Sequence, residues 1–194
     1  MKLRVTGISG SPRLDGNTDT ILHEALTAAK EDGAEVQLIR LADYRLEPCD
    51  ACGTCHTTKS CVKEDDWKKL YQEILRSDGV ILGSPSYFQG ATAQMKTFID
   101  RIGYLSLARG RKDFAGKVGA VIGVARRSGL ENVCSQLMNF VTATRMIVPS
   151  GGRVVGLARE KGEVLKDQEA LDSARYLGKM MVKTIEATEG VRES

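Results

Sequence analysis

No apolar run in this sequence is long enough for a membrane span, or for the hydrophobic stretch of a secretion signal with its flanks. Charge of one sign does not accumulate either: 28 Lys and Arg against 25 Asp and Glu leave +3, spread along the chain. Aromatic residues make up 5% and do not interleave with basic ones, so a nucleic-acid surface has no footprint. Internal repeats, low-complexity tracts and linker-like stretches are missing. No nucleophile–base pair, paired hydrolytic carboxylates or proton-transfer residue stands out. These absences lead to an expectation of one globular domain over residues 1–194, cytoplasmic, with neither nucleic acid nor membrane as partner. The 42% of hydrophobic residues are enough for a sizeable core.

What is present alternates between two periodicities. Leu3 to Ile8 is a short apolar run ending in Ser9-Gly10-Ser11-Pro12, a buried strand entering a loop. From Thr18 the pattern is helical, with Ile21, Leu22, Ala25, Leu26 and Ala29 on one face until Gly33. Further strands are expected at Val36–Leu41, Gly79–Gly83, Val118–Val124 and near Arg153–Leu157. Between them lie helical patterns carrying Trp67, Leu70 and Ile74; Met95, Phe98 and Ile102; and Leu130, Val133, Leu137 and Val141. A last helix carries Leu171, Ala174, Leu177, Met181 and Ile185. Strands apolar on both faces and separated by helices call for a parallel sheet covered on both sides. Five of them suit an α/β, flavodoxin-like doubly wound fold of order 2-1-3-4-5, with ligands at the carboxyl ends of the strands.

The loop from Gly7 to Thr18 joins the first strand to the first helix. Its small residues and hydroxyls allow backbone N–H groups to converge at a helix N-terminus, which favours a phosphate. Arg13 can add a bidentate contact, and Asn17 and Thr18 can cap the helix or bond the phosphate. The loop is neither a dinucleotide fingerprint nor a P-loop, and an ordinary capped turn remains the alternative. Two later loops, Gly83 to Gly90 and Gly123 to Gly129, also follow central strands. Tyr87 and Phe88 offer flat apolar surface, backbone beside Pro85 and Ala125 can bond a polar ring edge, and Arg126 or Arg127 can bring positive charge. Gly-Ser-Pro-Arg at 10–13, Asn17-Thr18, Pro85-Ser86-Tyr87 and Lys96 with Asp100-Arg101 together resemble the NADPH-dependent FMN reductase-like flavoproteins. The resemblance implies FMN, with its phosphate at Ser9, Ser11, Arg13, Asn17 and Thr18 and its ring against Pro85, Ser86, Tyr87, Phe88 and Ala125. The third loop lacks the glycine-rich run common in that family.

Four of the five cysteines, Cys49, Cys52, Cys55 and Cys61, fall within a loop spanning 48–62. In a reducing compartment such a group reads as metal or redox chemistry rather than a disulfide framework. The C-x₂-C-x₂-C core can wrap one corner of a cuboidal cluster, Ala51, Gly53 and Thr54 allowing the turns, and Cys61 completing the set. Cys52 to His56 also matches a haem-attachment motif, a Cys₄ zinc site is chemically open, and free thiols or a labile disulfide are a further alternative. The run from Pro48 to Val62, followed by Asp65-Asp66, resembles the iron–sulfur flavoprotein branch of the same family. That resemblance implies one 4Fe–4S cluster held by the four thiolates and a partner such as ferredoxin as electron donor. It also implies a homodimer or homotetramer with FMN at a subunit interface. NAD(P)H-dependent reduction without a cluster, and a non-enzymatic redox carrier or sensor, are the competing expectations. His23 and His56 read as surface residues, Cys134, Met180 and Met181 as core, and Glu64 to Asp66 as a helix start.

Overall fold

Residues buried on both faces dominate the middle of the sheet. In the computed structural model, which describes residues 2–192, β4 (Val118–Ala125) is buried at every position and β3 (Gly79–Pro85) at all but its last. With β1 (Arg4–Ser9), β2 (Glu35–Arg40) and β5 (Arg153–Leu157) they form one five-stranded sheet in the order β2-β1-β3-β4-β5. Every neighbouring pair is parallel. The expected order and all five strands are present, with ends displaced by one or two residues.

Because the strands are parallel, each return passes through a helix on one face or the other. The helices are α1 (Asn17–Glu31), α2 (Thr54–Thr58), α3 (Trp67–Arg76), α4 (Ala93–Ala108), α5 (Leu130–Ala143), α6 (Gln168–Ala187) and α7 (Glu189–Arg192). Side chains alternate across each strand and so feed two cores. Val5, Ile81 and Ile122 meet Ile21, Leu22, Leu177 and Met181 from α1 and α6. Ile8, Leu82 and Val121 face Leu70, Phe98 and Leu137 from α3, α4 and α5.

The edges depart from the two-faced expectation. In β5, Val154 and Gly156 are buried while Arg153, Val155 and Leu157 are exposed, because an edge strand is covered on one face only. Met180 is half-buried on α6, whereas Met181 is fully buried, so only the latter belongs to the core. Cys134 is buried as expected, and His23 and His56 are exposed.

The α1–α6 crossing sets the thickness of one layer. A Cβ on Gly178 would lie 2.0 Å from the Ala25 carbonyl oxygen, which is backbone and cannot swing aside. Gly178→Ala therefore forces the two helices apart. We expect a loss of about 1–3 kcal/mol, read as a lower urea midpoint with an unchanged slope; an unchanged midpoint would show that the layer can yield.

Candidate functional site

Register brings three loops to one edge. Ser9 pairs with Gly83 and Pro85 with Val124, so the chain leaves β1, β3 and β4 side by side. The Gly10 N–H donates to the Gly83 carbonyl at 2.8 Å, and the Ser86 N–H to the Val124 carbonyl at 2.7 Å. At Gly129, φ is +92° and a Cβ would lie 2.2 Å from the Ser86 hydroxyl, so glycine is what lets the loops after β3 and β4 touch.

Between these loops is a cavity of about 310 Å³. Ser11, Arg13, Asn17, Thr18, Pro85, Ser86, Tyr87, Ala125 and Arg126 line it, all singled out from the sequence. Ser9, Phe88 and Arg127 do not. Ser9 is fully buried behind the loop, where its hydroxyl donates to Asp19 and accepts from the Ser11 N–H at 3.2 Å. It shapes the loop rather than its lining. Phe88 is completely exposed on a left-handed turn (φ 46°), and Arg127 is exposed as well.

A fourth wall had no signal in the sequence. Ala158, Arg159 and Glu160 follow β5 and line the same cavity. Asn17 ties them down: its amide donates to the Glu160 carbonyl and its side-chain oxygen accepts from the Gly162 N–H, both at 2.8 Å. The α1 cap is instead Gly16, which offers no side chain, so Asn17 latches a distant loop rather than capping.

The cysteine loop forms a second cavity, of about 230 Å³, lined by Cys49, Cys52, Cys55 and Cys61 together. Its turns are tight: Ala51 (φ 57°), Gly53 (φ 72°) and Lys59 (φ 57°) are all left-handed, and α2 starts at Thr54. The Ala51 N–H donates to the Cys49 sulfur at 3.4 Å. Burial pushes the Cys55 thiol up, and the neighbouring Cys61, Cys49 and Cys52 add to the shift. Among the described residues no three Cys, His or carboxylate side chains converge closely enough for one metal ion.

Polar anchors hold this loop to the domain. Asp65 and Arg101 form an ion pair whose side chains are 0% and 2% exposed. Arg101, from the middle of α4, also donates to the Glu47 carbonyl at 3.1 Å and to the Cys61 sulfur at 3.2 Å. Asp65 accepts from the Glu47 and Trp67 N–H groups at 2.9 and 3.1 Å. It is thus a buried anchor as well as part of a helix start, a role that composition alone hid. Burial alone would raise the Asp65 carboxyl, but the Arg101 guanidinium and the two N–H donors hold it below the ordinary carboxylate range. Lys63 pairs with Asp50 at 3.1 Å and Glu47 at 3.4 Å at the cavity mouth.

The sequence that builds this sheet and its loops matches the family pattern of the NADPH-dependent FMN reductases over residues 3–159. The chain belongs to this family. Within it, an iron–sulfur flavoprotein of Methanocaldococcus jannaschii is 38% identical over 192 residues, covering 94% of this chain and 97% of the relative. One from Archaeoglobus fulgidus is 37% identical, covering 95% and 81%. The chain therefore lies in the iron–sulfur flavoprotein branch. Solved structures support the fold alone: RosB superposes with a TM-score of 0.77 at 15% identity, covering 98% of this chain and 81% of RosB. An archaeal flavodoxin gives 0.63 at 16% identity, covering 95% and 99%.

In this family member, Asp65→Asn leaves the Arg101 charge buried without its counter-ion. The expected cost is about 3–5 kcal/mol, measured as a drop in the urea midpoint at neutral pH. The folded-state pKa of Asp65 is lowered, so its contribution is present above the unfolded value of 3.8 and lost as pH falls through the folded one. Wild type should accordingly lose more stability than the variant between pH 5 and acid pH, about the range set by that linkage. Equal acid sensitivity would contradict the anchor.

Proposed function

We propose that the chain is an electron-transfer flavoprotein using FMN in the strand-end cavity and one 4Fe–4S cluster held by Cys49, Cys52, Cys55 and Cys61. Membership of the FMN reductase family and its iron–sulfur flavoprotein branch makes it a flavin-dependent oxidoreductase. The single observation that carries the finer reading is that all four clustered cysteines line one cavity on a domain whose strand-end cavity has its own, separate lining. When bound, FMN would exchange electrons in pairs or singly, and the cluster would exchange them singly.

The residues present fit both groups. Hydroxyls of Ser11 and Thr18 and the Arg13 guanidinium surround the N-terminal end of α1, a donor set suited to a phosphate. Pro85, Ser86, Tyr87 and Ala125 would flank a planar ring, with Arg126 supplying positive charge beside it. Ser9 would support the phosphate loop from behind. Phe88 and Arg127, both exposed, would meet the ring only through loop movement or from a neighbouring subunit. Four cysteines that share the lining of one cavity of about 230 Å³ suit a group larger than one ion.

The proposed donor is a one-electron carrier of the ferredoxin type, and the proposed assembly a homodimer or homotetramer. Exposed Tyr104 and Leu107, which share the lining of an apolar groove between α4 and α5, support an apolar contact between subunits. The proposed compartment is cytoplasmic, consistent with five free cysteines; no described helix is long and apolar enough to cross a membrane. A second reading, NAD(P)H-dependent flavin or quinone reduction without a cluster, draws on Arg13, Arg126 and Arg159 around the strand-end cavity, where a second phosphate-bearing ligand would find cations.

Anaerobic purification with iron, sulfide and FMN quantification tests the proposal. About four irons and one FMN per chain are expected. Replacing any of the four cysteines by alanine should lower iron while FMN stays. FMN without iron in a preparation never exposed to air, with rapid NAD(P)H oxidation, would establish the second reading instead.

A further inference from the structure

Arg101 donates to the sulfur of Cys61, one of the four clustered cysteines. The arginine is 5% exposed and sits in the middle of α4, where a long charged side chain costs desolvation unless something requires it. Its guanidinium is committed at one amino group to Asp65 and the Glu47 carbonyl, and at the other to Cys61 at 3.2 Å. The Nε atom is buried and has no partner among the described residues. Arg101 also lines the cysteine cavity. Lys63, the other cation on that lining, is taken up by Asp50 and Glu47 instead.

We infer that Arg101 is a tuning residue: by donating to the Cys61 sulfur from a buried position, it raises the reduction potential of the cluster. The inference rests on the assignment of Cys61 as a ligand. Reduction adds one electron, from the reductant, to a thiolate-ligated group that is already anionic. A fixed positive charge and an N–H donor at a sulfur stabilise that added charge, and the low local dielectric magnifies the effect. Asp65 keeps the guanidinium in place and partly offsets its charge, so the hydrogen bond and the orientation of the pair carry the influence.

Arg101→Met keeps an unbranched stem at this position and removes both charge and donors. In full-length protein loaded anaerobically, a redox titration followed by electron paramagnetic resonance should show reduction about tenfold less favourable, a downward shift of about 59 mV for one electron. Arg101→Lys should fall between the two. A scaffolding role would alter stability but not this potential. Wild-type protein labelled with ¹⁵N-arginine gives an independent reading: pulsed measurements on the reduced cluster should show coupling to an arginine nitrogen, absent in Arg101→Lys. An unchanged potential in iron-replete Arg101→Met, or no coupling in wild type, overturns the inference. If Arg101→Met holds no iron, the coupling decides alone. Full iron retention in Cys61→Ala would instead remove the ligand assignment on which the inference stands.

Discussion

Ser9 lies beside Gly83, and the Gly10 N–H reaches the Gly83 carbonyl at 2.8 Å, because β1 and β3 run parallel with their carboxyl ends level. That pairing is where the winding of the sheet reverses. α1 leaves β1 toward one face, and α4 leaves β3 toward the other, opening a crevice at the strand ends. The strand-end cavity is a consequence of this topology, and short loops of small residues keep it from being filled. Neighbouring loops then lock to one another through Gly129 against Ser86 and through Asn17 against the loop after β5.

One helix links the two cavities. The side chain of Thr92, the cap of α4, donates to the Gly10 carbonyl at 2.7 Å, beside the strand-end loops. Arg101, Tyr104 and Leu105 of the same helix line the cysteine cavity. Nine residues of α-helix separate the cap from Arg101, about 14 Å along the axis. A packed helix of this kind holds a fixed spacing between whatever occupies the two cavities. Two buried polar contacts, Thr92 at one end and Arg101 with Asp65 at the other, make it a strut rather than a covering layer.

Much of this was legible in the sequence. Runs such as Val118–Ala125 are apolar at successive positions, and only a sheet covered on both faces buries them. Loop residues at the ends of β1, β3 and β4 were legible because small residues, hydroxyls and arginine at a helix start have a clear chemical use. Two things escaped. Ala158 to Glu160 carry no such pattern, and they join the cavity through the Ala125 carbonyl, which accepts from the Ala158 N–H, and through Asn17, more than a hundred positions away in the chain. Asp65 looked like one of three acids before a helix, and its pairing with Arg101 spans 36 residues of sequence. Long-range polar pairing leaves no periodicity to read. Phe88 is the converse case: its chemistry suited the ring, but a left-handed turn sends it outward.

The central claim is that one chain holds a two-electron and a one-electron centre together. An anaerobic reductive titration of freshly purified protein, followed by flavin absorbance and electron paramagnetic resonance, counts the electrons directly. About three electron equivalents per chain are expected, two for FMN and one for the cluster, with a paramagnetic cluster signal on full reduction. Uptake of about two equivalents with no such signal would contradict the claim.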